Sequence, residues 1–111
     1  MSDYIEWATT DPRGYQVQLT GSRVQHIIAG HPEFLGRTDD LKSLIENPIY
    51  ILQHNEYLEQ QLYCGMFPGS LARYAVTVVH YDVADQGTVV TAWSTNDLPN
   101  RKIVWMPPIN I

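Results

Sequence analysis

Five residues carry the chemistry this chain can offer: His26, His31, Arg73, Thr91 and Ser94. An imidazole has an ordinary pKa of ~6.5, so it gives and takes protons near neutrality. An arginine presents a planar, permanently charged fork to an oxyanion. Serine and threonine hydroxyls donate hydrogen bonds. Such a set suits general acid–base chemistry at an anionic centre, with the developing charge held by the cation and the donors.

Each candidate also has a plainer reading. His26 lies roughly opposite the Val24–Ile28 apolar stripe of a helix, as an acid/base at its edge or as an exposed side chain. His31 falls on that stripe where Gly30 and Pro32 end the helix, a place where an imidazole can bond the last carbonyls. Glu33 can anchor His31 or the loop that follows. The two histidines stand ~140° apart on an ideal helix, so they share a site only if the helix breaks at Gly30. Arg73 follows Pro68-Gly69-Ser70 and precedes a Val-rich stretch, as a phosphate clamp or a solvated strand end. Arg23 and Arg37 flank the helices and are weaker candidates. Tyr63 and Tyr81 offer either stacking surfaces or cross-strand packing.

Other chemistries find less support. His80 and Asp82 share one side of a strand, and His26, His31, Glu33 and His54 could complete a metal site, but no dense ligand motif such as HExxH occurs. There is no Walker A loop, no GxGxxG and no GxSxG elbow, so no cofactor is implied. Cys64 reads as a small buried strand residue. As the single cysteine, it excludes an internal disulfide and any multi-cysteine zinc site.

Composition narrows the class. The 111 residues fit one domain over 1–111, and the 44% apolar share supplies a core. No run reaches the ~20 apolar residues that span a bilayer, and the start Met1-Ser2-Asp3-Tyr4-Ile5-Glu6 lacks the pattern of a secretory signal. A cytoplasmic protein that binds no membrane is expected. The net charge of −5 argues against generic DNA binding, which needs clustered Lys and Arg.

The elements that must position these groups are short. Tyr15–Leu19 alternates as a strand, and Val24, Ile27, Ile28 and His31 recur at helical spacing after Thr20 or Ser22 as cap. Leu41, Leu44 and Ile45 form the stripe of a second helix that Thr38 or Asp39 caps and Pro48 ends. Then come an Ile49–Leu52 and Tyr57–Cys64 hairpin, strands over Tyr74–Tyr81 and Thr88–Trp93, and a short Ile103–Trp105. The expected fold is α+β: two N-terminal helices on one face of a twisted, mostly antiparallel sheet of four to six strands. The other face is expected to carry polar side chains and Tyr.

The stretch from Leu19 to Glu33, with His26-Ile27 and His31-Pro32-Glu33, resembles the "HI…HPE" opening of small phage- and toxin-associated domains. These belong to the barnase–EndoU–colicin–RelE-like (BECR) nuclease group. The Asp39–Pro48 helix, the Ile49–Cys64 hairpin, the Ala75–Tyr81 strand and Thr91-Ala92-Trp93 are similar to that group's order, over roughly Tyr15 to Trp105. The resemblance implies metal-independent endoribonuclease activity. A base would take the ribose 2′-OH proton and an acid would protonate the leaving 5′-oxygen. His26 would be the acid/base, His31 its positioner or the second proton carrier, and Arg73 the phosphate ligand. Thr91 and Ser94 would donate hydrogen bonds.

The acidic balance opposes this reading, since a grip on RNA needs a local basic patch, here Arg23, Arg37, Lys42 and Arg73. The alternative is a non-catalytic BECR-fold interaction module. It would act as a homodimer or with a cognate protein partner, through Trp7, Trp93, Trp105 and the Pro107-Pro108 tail.

Overall fold

A computed structural model describes residues 3–108; residues 1–2 and 109–111 of the expected domain lie outside the described residues. The chain runs β1 (Ile5–Thr10), β2 (Gln16–Thr20), α1 (Gly21–Gly30), a 3-10 turn (Pro32–Phe34), α2 (Thr38–Glu46), β3 (Tyr50–Gln53) and β4 (Gln60–Met66). Then follow β5 (Tyr74–Val83), β6 (Gln86–Thr95) and β7 (Ile103–Trp105). Among the described residues no helix is long and apolar enough to cross a membrane.

One seven-stranded sheet has the order β1-β2-β6-β5-β4-β3-β7. After β2 the helices cross one face to the far side, and the meander β3-β4-β5-β6 walks back until β6 lies beside β2. That return makes the β2–β6 pairing parallel, while the other pairs are antiparallel.

The α+β class and mostly antiparallel sheet agree with the expectation, but two details change. The helices are not N-terminal, because β1 and β2 precede them, and the sheet has seven strands rather than four to six. The extra strand, β1, buries only Trp7 and carries a bulge between Ile5 and Trp7, so its sequence shows little alternation.

The first face is packed as its apolar spacing requires. Val24 and Ile27 of α1 and Leu41, Leu44 and Ile45 of α2 bury against Val17, Leu19, Ile51, Ala75, Val79, Val89 and Ala92, with Ile28 at the margin. α2 sits close to β4, since a Cβ on Gly65 would meet Leu44 Cγ at 3.0 Å. The Trp7 indole N–H donates to the Thr38 carbonyl at 3.0 Å, fixing β1 under α2. Trp7 thus lies in the core, not on an interface.

The second face is not uniformly polar. Leu52, Leu62, Cys64, Val76 and Val78 form a smaller apolar layer, with Tyr50, Val90, Trp93 and Leu98 packed against it. Leu98 belongs to the connection that carries the chain across this face from β6 to the opposite edge strand β7. Leu58, within the expected Tyr57–Cys64 strand, lies exposed in the β3–β4 turn.

Candidate functional site

α1 stops at Gly30. The His31 N–H closes on the Ile27 carbonyl at 2.7 Å, and the His31 backbone then leaves the helical region. Pro32 cannot extend a hydrogen-bonded ladder, and its fixed φ starts the 3-10 turn instead. Phe34 anchors that turn: it is fully buried and stacks on Phe67, ring centroids 4.9 Å apart. The turn is thereby held beside β6 and the loop that leaves β4.

This placement brings Glu33 to Ser94. The Ser94 hydroxyl donates to Glu33 Oε2 at 2.6 Å, and His31 Nδ1 stands 3.9 Å from the same oxygen. The Ser94 bond, helped by a backbone hydrogen bond against a desolvation penalty, holds the Glu33 carboxyl below its usual range. The carboxylate is therefore ionised, fixed in orientation and next to an imidazole.

An open cleft of about 450 Å³ lies in front of it, lined by Glu33, Arg37, Ser94 and the loop Gly69-Ser70-Leu71-Ala72. The neck of that loop is closed by the Phe67 N–H on the Arg73 carbonyl at 2.9 Å. Gly69 turns it at a φ of +76°, a conformation that side chains disfavour.

Of the expected residues the structure brings His31 and Ser94 to the Glu33 carboxylate; Ser94 lines the cleft and His31 stands beside the carboxylate without lining it. His26 lies on the exposed side of α1. Arg73 does not line the cleft: its backbone N–H bonds Asn96 Oδ1 at 3.0 Å, and its guanidinium lies 5.9 Å from the Tyr74 ring. Thr91 pairs with Val78 of the second apolar layer, whereas Ser94 pairs with Ala75 of the main core. Cross-strand partners share a face, so Thr91 and Ser94 lie on opposite faces of the sheet. A bulge around Val90 shifts the register and defeats simple alternation along β6. The cleft is lined by Glu33 and Arg37, and not by His26 or Arg73. The readable signal for Glu33 was a carboxylate two residues after His31, behind a helix-ending proline.

A second polar cluster is closed on itself. Asp11 accepts from the backbone N–H groups of Arg13 and Tyr15, from the Arg13 guanidinium and from the Tyr63 hydroxyl. Arg13 also donates to Gln61 Oε1 at 2.7 Å and lies over the Tyr15 ring, and Tyr63 bonds Tyr81. Tyr63 is fully buried and Tyr81 packs against the core, so neither serves as a stacking platform. Burial pushes the Tyr63 phenol far up, and it pushes Tyr81 up to about 12.

A smaller hollow, about 270 Å³, lies on the second face among Gln16, Gln18, Asp82, Gln86 and Thr88. It has no cation, and Asp82 is bonded to His80 at 2.9 Å. Among the described residues no three His, Cys, Asp or Glu side chains gather as metal ligands. Comparison of the chain with protein-family models, with curated proteins and with solved structures finds no match.

Proposed function

We propose that this chain cleaves RNA by acid–base chemistry in the cleft between the 3-10 turn and the β4–β5 loop. Glu33 takes the proton of a ribose 2′-OH, and the 2′-oxygen attacks the adjacent phosphorus. His31, protonated, gives its proton to the leaving 5′-oxygen. The products are a 2′,3′-cyclic phosphate and a 5′-hydroxyl. Ser94 orients the base rather than touching substrate. The observation that carries this reading is the shared oxygen: Glu33 Oε2 faces both Ser94 and His31 beside an open cleft. The resemblance to the BECR group supports it, and a cytoplasmic site of action belongs to the same reading.

The test is incubation of the purified chain with total RNA and with tRNA. Cleavage to cyclic-phosphate ends is expected, with Glu33→Gln and His31→Ala each slower by about 10² or more. Intact RNA, or undiminished cutting by Glu33→Gln in folded protein, rejects it.

A second reading is an interaction module. The exposed Leu71 at the cleft rim, the exposed Leu35 just after the 3-10 turn and the net charge of −5 favour it. It gains if expression is tolerated, RNA stays intact and a protein partner or second copy covers those leucines.

A further inference from the structure

We infer that Arg37 is the anion anchor of the cleft, holding one phosphate of a nucleotide through the free end of its guanidinium; this rests on the cleft being a nucleotide site. Three contacts already fix this side chain. Its Nε donates to Asp40 Oδ2 at 2.6 Å, its Nη2 donates to the Pro68 carbonyl at 2.7 Å, and its plane lies 3.9 Å from the Phe67 ring centroid. Phe67 is itself buried and stacked on Phe34. One edge of the fork is spent on the protein. Nη1 makes no bond among the described residues, and the end formed by Nη1 and Nη2 is left for a ligand.

A guanidinium held in this way has lost its conformational freedom before a ligand arrives, so little ordering entropy remains to oppose binding. The other cations do not meet this description. Arg13 is committed to Asp11 and Gln61, and none of Arg23, Lys42, Arg73, Arg101 and Lys102 lines the cleft. The neighbouring carboxylates of Asp40 and Glu33 lower the local positive field. Recognition therefore depends on the geometry of the fork as well as its charge, and a lysine cannot replace it.

The test is binding of uridine 3′-monophosphate and of inorganic phosphate to the full chain, by calorimetry and by amide NMR shifts. The nucleotide is expected to move the Gly69, Ser70 and Ser94 amides of the unmutated protein, with inorganic phosphate weaker at the same place. Arg37→Gln should weaken the nucleotide about tenfold or more, and Arg37→Lys should recover only part of that. Lys102→Gln, which removes the same charge elsewhere, should bind as the wild type does. Absence of shifts at those amides overturns the anchor, whatever the folding of the variants. Equal weakening by Lys102→Gln also overturns it, because bulk charge is then the cause. Nucleotide binding that depends on Arg37, without RNA cleavage, sinks the cleavage reading and leaves the anchor. RNA cleavage undiminished in Arg37→Gln does the reverse.

Discussion

Ser94 on β6 and Glu33 in the 3-10 turn lie 61 residues apart in the chain, and the serine hydroxyl donates to the carboxylate at 2.6 Å. The bond is a tie between two layers as well as a feature of the cleft. Ser94→Ala should lift the Glu33 titration toward its ordinary 4.5, seen by side-chain NMR. The folded pKa is depressed, so the stabilisation is complete above ~4.5 and is lost as pH falls through the lower folded value. At pH 7 the variant should lose about 1 kcal/mol, since a charge-assisted bond to a partly exposed carboxylate contributes less than a buried one. The difference from wild type should vanish in acid. An unchanged Glu33 titration would show that the bond does not set the carboxylate's charge state.

Asp11 holds the β1–β2 turn against β4 and β5, and its side chain is fully buried. Asp11→Ala removes the only charged acceptor of the Arg13 guanidinium and of the Tyr63 hydroxyl, leaving the guanidinium with the neutral oxygens of Gln61 and Tyr63. A loss of about 3 kcal/mol in urea unfolding is expected, as for one partner removed from a buried pair. The same cluster sets an alkaline limit. Tyr81 is held neutral up to about 12, against ~10 in an unfolded chain. Stability is full below ~10 and declines as pH rises from there through about 12. Tyrosinate absorbance should show a late step that coincides with unfolding and shrinks in Tyr81→Phe. Ionisation of that step in a still-folded chain would contradict the burial argument.

Much of this fold was readable locally, and the exceptions share a cause. The stripes Val24–Ile28 and Leu41–Ile45 bury as their spacing demands, and the Pro48 and Gly30 stops fall where helices end. β1 escaped because an edge strand with one buried residue needs no alternation. The cap of α1 falls on Thr20, one of the two residues expected for it, but its bonding was not legible. Thr20 is the cap residue without a side-chain bond, and Asp3, brought alongside by β1–β2 pairing, accepts from the Ser22 backbone instead. His31 and Ser94, both expected at one site, do meet at the Glu33 carboxylate. Thr91 was assigned to the same site by the resemblance, although two residues three apart on one regular stretch of strand point to opposite faces. The fixation of Arg37 was not legible, because it comes from Phe67 and Pro68, which no local pattern connects to it.

Thr77 sits fully buried on β5 with its Oγ1 unpartnered among the described residues. A buried hydroxyl without a partner loses its water hydrogen bonds and gains none. Thr77→Val keeps the branched shape and the strand preference while removing that cost. The variant should be more stable by about 1 kcal/mol in urea unfolding. Destabilisation would mean that the hydroxyl finds a bond after all, for instance through a buried water.

Cys64 reports on the weaker of the two apolar layers. It is fully buried beneath the β6–β7 connection, and burial pushes its thiol up to about 12, so the native state offers no thiolate at pH 8. Labelling by a thiol reagent then requires opening. The cover is slight: Leu98 is the apolar anchor of the connection, and β7 pairs with β3 through Trp105 and Ile103, with a register shift between them and one further bond from the Gln53 N–H to the Lys102 carbonyl. Such a segment should detach below the free energy of global unfolding. Labelling of Cys64 should therefore give an opening free energy smaller than that from urea unfolding, and it should respond weakly to low urea. Leu98→Ala removes about 1–2 kcal/mol of half-buried contact and should speed labelling roughly tenfold. If labelling instead follows global unfolding at every urea concentration, the connection is as firmly held as the main core, and the second face opens only when the whole sheet does.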